Sequence, residues 1–151
     1  MIIIGYDGSP DARAAIKQAG ILMPGHSALV LTVWGPPAPA DAVDHGGVLT
    51  EGQARAENVA ADGAALGHQL GIDCQPRIRR HRTTVAAAIV DEAHRLDAHA
   101  VIIGRGGREA EPLGPVARAV VRESPCAVLV AASDRRRHPP LLTPVRLGAT
   151  A

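Results

Sequence analysis

The chain has 151 residues and a net charge of +1 at pH 7, which suits one domain that buries about two-thirds of its unfolded surface. The near-neutral charge provides no global field for nucleic acid or a membrane, and no apolar run approaches the roughly 20 residues that cross a bilayer. Two cysteines are too few for a disulfide scaffold, so we expect a reducing, cytoplasmic location. No basic segment precedes the first apolar run, which predicts no signal peptide.

The first elements follow directly from the start of the chain. Residues 2–6 form a short apolar run that predicts strand 1. Ser9 is a suitable N-cap, and Pro10 fits the first position of a helix that continues to about Met23. Residues 28–34 predict strand 2, which ends at a Gly-Pro-Pro sequence.

A loop rich in proline, alanine and glycine follows strand 2 and continues through Gly47. Residues from about 50 to 70 are rich in alanine, glutamate and glutamine and predict helix 2. Residues 73–80 predict strand 3, whose polar composition indicates a place near an edge of the sheet. Thr83 or Thr84 caps helix 3. The inward face of helix 3 is predicted to consist of Val85, Ile89, Ala93 and Leu96.

The last third of the chain contains two further strands and one helix. Residues 100–103 predict strand 4, residues 115–123 predict helix 4, and residues 126–131 predict strand 5. Residues 133–151 form a tail rich in arginine and proline, without a core of its own. Its arginine run, residues 135–137, indicates a solvated segment or, alternatively, a contact with nucleic acid or an acidic partner.

Strands that alternate with helices predict an α/β fold, a doubly wound five-stranded parallel sheet with helices on both faces. Ligands bind such sheets at the carboxyl ends of the strands, where the winding reverses. If strands 1 and 4 are neighbours, Asp7 and the glycine-rich loop 104–107 face the same crevice. A glycine loop between a buried strand and a helix N-terminus is typical of an anion site. Pro115, however, has no N–H to donate there.

Both ends of residues 1–132 resemble the universal stress protein family. Residues 3–9, Ile-Ile-Gly-Tyr-Asp-Gly-Ser, are similar to its first strand and turn, and residues 120–130 are similar to its last helix, Pro-Cys turn and final strand. The ATP-binding branch carries Gly-x2-Gly-x9-Gly-(Ser/Thr). Here Gly104 and Gly107 match, but only six residues separate Gly107 from Gly114, and Pro115 replaces the hydroxyl residue. The resemblance implies strand order 3-2-1-4-5, a homodimer joined through strand 5, and a cytoplasmic, stress-associated role.

The resemblance also implies which residues contact a nucleotide. Asp7 would meet the adenine or ribose end, Val33 the adenine, and the glycine loop the phosphates. The full implied set is Asp7, Val33, Ile103, Gly104, Gly107, Gly114, Pro115 and Val116. Two alternatives stay open: Asp7 forms a turn before an N-cap, and the glycines form a tight loop that holds no ligand.

Two substitutions remove donors from the predicted phosphate site. Pro115 lacks both a hydroxyl and an N–H, and Ala117 offers no hydroxyl. Each lost donor weakens binding by roughly 0.5–1.5 kcal/mol. The N–H groups of Val116 and Ala117 remain, and Arg105 or Arg108 would neutralise phosphate charge.

Other residues give weaker signals. Tyr6 and Trp34 are the only aromatic residues; they fill the core under a loop or, alternatively, stack on a planar ligand. The histidines show no metal-binding spacing, and no Ser–His–Asp arrangement is indicated, so we predict neither a metal nor an enzyme, with at most slow ATP hydrolysis. Cys74 and Cys126 begin strands at opposite edges, which makes an intrachain disulfide unexpected.

Two functions fit these observations. The first is a universal-stress-type regulatory homodimer that binds ATP or another adenine nucleotide in the crevice between strands 1 and 4. The second is a nucleotide-free member of the same fold that acts as a dimeric interaction protein. Strand 5 is wholly apolar and lies at a predicted edge, which favours pairing with a second copy in either case. The alternative is that the proline-rich tail, residues 141–145, folds back and covers this edge.

Overall fold

The computed structural model describes residues 1–35, 46–106 and 112–133, apart from the side chains of residues 46–50. Five strands alternate with four helices in the part of the chain that it describes. In chain order they are β1 (Ile2–Gly5), α1 (Pro10–Leu22), β2 (Ser27–Trp34), α2 (Gly46–Gln69), β3 (Asp73–Arg80), α3 (Val85–Arg95), β4 (Ala100–Gly104), α4 (Pro115–Glu123) and β5 (Ala127–Ala131). None of these helices has the length and apolar composition that crossing a bilayer requires.

The strands form one parallel sheet in the order β3-β2-β1-β4-β5, which confirms the predicted α/β fold and strand order. β1 lies in the centre, where Ile4 pairs with Val30 of β2 on one side and with Ile102 of β4 on the other. Parallel neighbours need a crossover connection. The chain winds outward from β1 to β3 and then returns to β4, so the winding reverses between β1 and β4.

Successive side chains of β1 enter two separate hydrophobic layers, as the alternation of a strand requires. Ile2 and Ile4 pack in the layer formed with Ile16 of α1 and with α2, whereas Ile3 packs in the layer formed with Ile89 of α3 and with α4. All five side chains are at most 3% exposed. Burial of each contributes about 1.5–3 kcal/mol, so β1 anchors the sheet whose carboxyl edge carries the candidate site.

Capping fixes where the helices begin. The Ser9 hydroxyl accepts the Ala12 N–H at 3.2 Å, and Pro10 occupies the first turn of α1, as predicted. The Thr84 hydroxyl accepts the Ala87 N–H at 3.1 Å, which decides between the two threonines that the sequence offered. The N-cap of α4 is Gly114, which has no side chain to bond the helix N-terminus.

The predicted boundaries differ from the structure at α2 and β5. The predicted loop through Gly47 is wrong at its end, because α2 begins at Gly46 rather than near residue 50. Glycine costs about 1 kcal/mol relative to alanine inside a helix, and the first turn tolerates it because its N–H groups have no helical acceptor in any case. β5 begins at Ala127, so Cys126 precedes the strand.

β3 is an edge strand, as its polar composition predicted, and it carries arginines that meet a buried carboxylate. Glu92 of α3 is 0% exposed, and its carboxylate lies 3.1 Å from Arg79 Nε, 3.9 Å from Arg77 Nε and within hydrogen-bond distance of Arg95. Burial alone would raise the pKa of Glu92, but the Arg95 hydrogen bond and the three positive charges outweigh it and lower the pKa. Glu92 therefore stays ionised and ties α3 to the edge of the sheet.

Several predictions concern residues outside the described ranges. These are the central part of the proline-rich loop, the loop residues Gly107 and Arg108, and the tail after Ser133 with its arginine run. The division of the chain into a domain over 1–132 and a tail over 133–151 stays a prediction.

Candidate functional site

A cavity of about 190 Å³ opens at the carboxyl edge of the sheet, where the winding reverses. Its floor is apolar and is formed by Leu31, Val33, Ile89 and Ile103. Its rim consists of the turn after β1, the start of α1, the loop after β4 and the first turn of α4. The reversal point of a doubly wound sheet is where such folds bind ligands.

The structure brings the predicted site residues together at this cavity. The described members of the predicted set, all of which line it, are Asp7, Val33, Ile103, Gly104, Gly114, Pro115 and Val116. Gly107, the remaining member, lies outside the described residues. Contact of these residues with a nucleotide stays a prediction.

Asp7 forms the turn that the sequence offered as one alternative, and it also borders the cavity. Its Oδ1 accepts the Ser9 N–H at 2.9 Å, which is the turn expected before an N-cap. The side chain is nevertheless exposed and borders the cavity. Oδ2 accepts no hydrogen bond from the described residues, so it is available to a hydroxyl or amino group of a ligand.

Asp11, in the first turn of α1, holds the rim in place. Its Oδ2 accepts the Gly106 N–H at 3.1 Å, and its Oδ1 accepts the Ser133 N–H at 2.8 Å. Partial burial would raise the pKa of Asp11, but these hydrogen bonds and the nearby Arg105 charge outweigh it and lower the pKa. Asp11 therefore joins α1 to the chain segments that leave β4 and β5. No sequence pattern indicated these two bonds, because Gly106 and Ser133 are distant from Asp11 along the chain.

Gly104 is required where β4 meets α1. A Cβ on Gly104 would lie 2.7 Å from the backbone carbonyl carbon of Asp11 and 2.8 Å from the Ala12 nitrogen, closer than atoms can pack. Gly106 has a φ of +57°, in the left-handed region that glycine adopts without strain. Gly104 therefore serves the close approach of α1, and Gly106 serves the turn itself, whether or not a ligand is bound.

Most backbone donors of the described part of the loop are already used within the protein. The Arg105 N–H donates to Ala131 O at 2.6 Å, the Gly106 N–H to Asp11, and the Gly114 N–H to Arg105 O at 3.0 Å. Pro115 has no N–H. The first turn of α4 thus leaves the N–H groups of Val116 and Ala117 for a ligand, since early helical N–H groups have no helical acceptor.

Arg105 is a charged residue of the same rim. Arg105 lines the cavity, and its Nε and Nη2 are buried without a hydrogen-bond partner among the described residues. Buried donors in native proteins are nearly always bonded, so an unpaired arginine beside a cavity is an unusual feature. The sequence identified Arg105 as one of two candidates for balancing phosphate charge; the other, Arg108, lies outside the described residues.

The two aromatic residues differ in their relation to the cavity. Tyr6 is 4% exposed and packs in the core, while it also borders the cavity. Its carbonyl oxygen accepts the Thr32 hydroxyl at 2.9 Å. Trp34 lies outside the described lining, and the Arg80 guanidinium sits 5.8 Å from its ring centroid. Core filling therefore accounts for Tyr6, and Trp34 is not placed to stack on a ligand in the cavity.

Within the described ranges the structure shows neither a metal-binding cluster nor a pair of bonded cysteines. These residues contain no cluster of three or more His, Cys, Asp or Glu side chains able to hold a metal ion. Cys74 and Cys126 are free thiols on opposite sides of the sheet. Burial raises the pKa of Cys74 to about 11, which keeps this thiol protonated near neutral pH.

The strand order and the cavity at the reversal point define a Rossmann-like doubly wound α/β protein. Within this class the chain belongs to the universal stress protein family, whose family model matches residues 1–132. No curated protein sequence matches the chain.

Solved structures share the fold at low sequence identity. A universal stress protein from Lactobacillus plantarum is 19% identical, with a TM-score of 0.72 over 86% of this chain and 95% of its own. A family member from Arabidopsis thaliana, solved with AMP bound, is 16% identical, with a TM-score of 0.68 over 92% of this chain and 95% of its own. The universal stress protein from Archaeoglobus fulgidus in complex with dAMP is 20% identical, with a TM-score of 0.65 over 86% and 95%.

Proposed function

We propose that this chain is a regulatory protein that binds ATP or another adenine nucleotide in the cavity between β1 and β4. The observation that carries the proposal is the combination of an apolar floor with unused polar groups on the rim. Leu31, Val33 and Ile103 suit a planar base, and Asp7 Oδ2 suits a hydroxyl or amino group. The N–H groups of Val116 and Ala117 suit a phosphate at the N-terminus of α4.

The comparisons support the class of ligand. Two proteins of the same fold were solved with AMP and dAMP. The cavity, at about 190 Å³, is smaller than the roughly 300–1,000 Å³ of a site that encloses a whole small-molecule ligand. We therefore propose that the described walls hold the base and part of the sugar, and that the phosphates lie at the open rim.

The test is the nucleotide content of the protein as purified. Acid release followed by chromatography with ultraviolet detection identifies any bound base, and titration calorimetry of nucleotide-free protein then compares ATP, AMP, adenosine and GTP. The proposal expects saturable binding of adenine ligands at one site per chain and weaker binding of GTP. The absence of binding by all adenine ligands would refute it.

We propose a regulatory role rather than a catalytic one. Among the described lining residues the hydroxyl of Ser9 already accepts the Ala12 N–H, and no histidine is present. The capping bond of Ser9 supports a structural rather than a nucleophilic role for its hydroxyl. A cytoplasmic location is part of the same proposal.

A nucleotide-free interaction protein is the second candidate, and the rim itself favours it. Internal acceptors take the N–H groups of Arg105, Gly106 and Gly114, and Pro115 contributes none. In this case the loop is a structural element that holds β4, β5 and α4 together. Protein that purifies without nucleotide and gives no calorimetric signal would favour this candidate.

Both candidates include a homodimer joined through β5. β5 is the edge strand opposite β3, and its residues Val128, Leu129 and Val130 are only partly buried in one chain. An exposed apolar edge strand without charge promotes association. Antiparallel pairing with a second copy across a two-fold axis would satisfy its free backbone groups and cover these side chains.

A further inference from the structure

The backbone of Arg105, the residue that follows β4, is held by hydrogen bonds, whereas two nitrogen atoms of its side chain have no hydrogen-bond partner among the described residues. The Arg105 N–H is bonded to Ala131 at the end of β5, and the Arg105 carbonyl oxygen accepts the Gly114 N–H at the start of α4. The backbone of Arg105 is therefore fixed between two elements. Arg105 lines the cavity, so its side chain starts from a fixed point at the rim.

The guanidinium has no anionic partner of its own in the described structure. Asp11 is close enough for the Arg105 charge to contribute to lowering its pKa. Both Asp11 oxygens, however, accept backbone N–H groups, from Gly106 and Ser133, and neither oxygen bonds to Arg105. Nε and Nη2 of Arg105 remain buried without an acceptor. Because buried donors are normally bonded, these two nitrogen atoms suit an acceptor that a ligand supplies.

A phosphate group suits these donors. Nε and one terminal nitrogen of a guanidinium form the planar fork that binds two oxygens of a phosphate or carboxylate. The N–H groups of Val116 and Ala117, together with the positive end of the α4 dipole, border the same cavity. These donors provide a phosphate with a charged fork and two backbone bonds, without the hydroxyl that Pro115 replaces.

We infer that Arg105 is the specificity-determining residue of the site: its guanidinium binds the phosphate nearest the sugar and selects nucleotides over nucleosides. The inference rests on the proposed nucleotide binding. The phosphate contact is then made by a side chain, because the N–H groups of Arg105, Gly106 and Gly114 already donate to acceptors within the protein.

The test compares adenosine with AMP by calorimetry, in wild type and in Arg105→Gln. The wild type is expected to bind AMP about 10- to 100-fold more tightly than adenosine, the scale of hydrogen bonds to a charged group. Arg105→Gln should remove most of this preference by weakening AMP alone, with adenosine affinity within about twofold of wild type. Arg105→Lys, which keeps the charge but not the fork, should retain part of the preference.

Arg118→Gln is the matched control. Arg118 lies on α4, is exposed, and donates to Leu113 O at 3.2 Å outside the cavity lining. The control changes net charge equally, so it should leave the AMP preference unchanged. Thermal melting of each variant verifies folding, and Arg105→Lys provides the same comparison if Arg105→Gln is unstable.

The failure of this inference is distinguishable from failure of the proposed function. Adenosine and AMP binding that keeps the same ratio in Arg105→Gln as in wild type would overturn the role of Arg105 and leave the nucleotide site in place. An equal loss of AMP preference in Arg118→Gln would also overturn it, because a general charge effect would then explain the result. Failure of wild type to bind either ligand would refute the proposed function, and the inference with it.

Discussion

Asp11→Asn tests whether a single side chain holds the rim of the cavity. The substitution preserves shape but replaces one carboxylate oxygen by an NH₂ group, so only one of the two N–H donors, Gly106 or Ser133, keeps its acceptor. A hydrogen bond to a charged group contributes about 1.5–3 kcal/mol. Asp11 is only partly buried, so we expect the lower end, about 1.5 kcal/mol.

This loss should appear in thermal unfolding at pH 7. For a chain of this size about 1 kcal/mol corresponds to about 2–4 °C, so Tm should fall by about 3–6 °C. The lowered pKa of Asp11 fixes the direction of the pH dependence. Its contribution is complete above its unfolded pKa of about 3.9 and is lost as the pH falls through the folded value. The difference between wild type and Asp11→Asn should therefore shrink below about pH 4.

Asp91→Asn is the control for charge alone, because Asp91 is exposed on α3 and lies outside the cavity lining. It should change Tm by less than about 1–2 °C, as surface substitutions usually do. Equal Tm changes for Asp11→Asn and Asp91→Asn would refute the assignment of Asp11 as the residue that joins α1 to the rim.

Three further predictions concern assembly, the phosphate site and the edge of the sheet. Leu129→Arg places a charge in β5 and should give monomers or insoluble protein, whereas deletion of residues 134–151 should leave dimers intact; a wild-type chain that sediments as a monomer at micromolar concentration contradicts the dimer. Pro115→Ser restores an N–H and a hydroxyl and should raise ATP affinity about tenfold, measured by calorimetry, without changing adenosine affinity. Equal gains in affinity for both ligands, or no gain for either, would identify the shortened loop as the obstacle to phosphate binding. Glu92→Gln should destabilise the fold by about 1–3 kcal/mol in urea unfolding, less than a fully buried ion pair because its arginine partners are 41–48% exposed. Because the pKa of Glu92 is lowered, that loss should be present above about pH 4.3 and fade in acid; an unchanged urea midpoint at pH 7 contradicts it.

The sequence was sufficient for the fold because its signals are local. Short apolar runs alternating with amphipathic helices specify a doubly wound sheet, and the caps at Ser9 and Thr84 need only neighbouring residues. The predicted start of α2 was wrong because two consecutive glycines, beginning at Gly46, are typical of a loop, although a first helical turn tolerates glycine. The polar composition of β3 correctly indicated an edge strand.

The sequence predicted which residues line the cavity, but not the hydrogen bonds that these residues form. The carboxyl ends of β1 and β4 were enough to place Asp7 and Gly104 at one cavity, whereas Val33 was indicated only by the family resemblance. The Gly114 N–H donates to Arg105 O and is therefore not available to a ligand. The N–H groups of Gly106 and Ser133 donate to Asp11. These bonds depend on the geometry of the folded chain. No periodicity or motif reports such pairs, because the partners lie far apart in sequence.

The most direct test of nucleotide binding in the cavity is calorimetric titration of nucleotide-free wild type and Asp7→Ala with ATP, with Asp91→Ala as the control. Nucleotide binding in the cavity predicts one saturable site per chain in wild type and in the control. Asp7→Ala should lower the affinity about tenfold, the scale of one charge-assisted contact. ATP binding that is absent in wild type would contradict nucleotide binding itself, and binding unchanged in Asp7→Ala would contradict its placement at the β1 edge of the cavity.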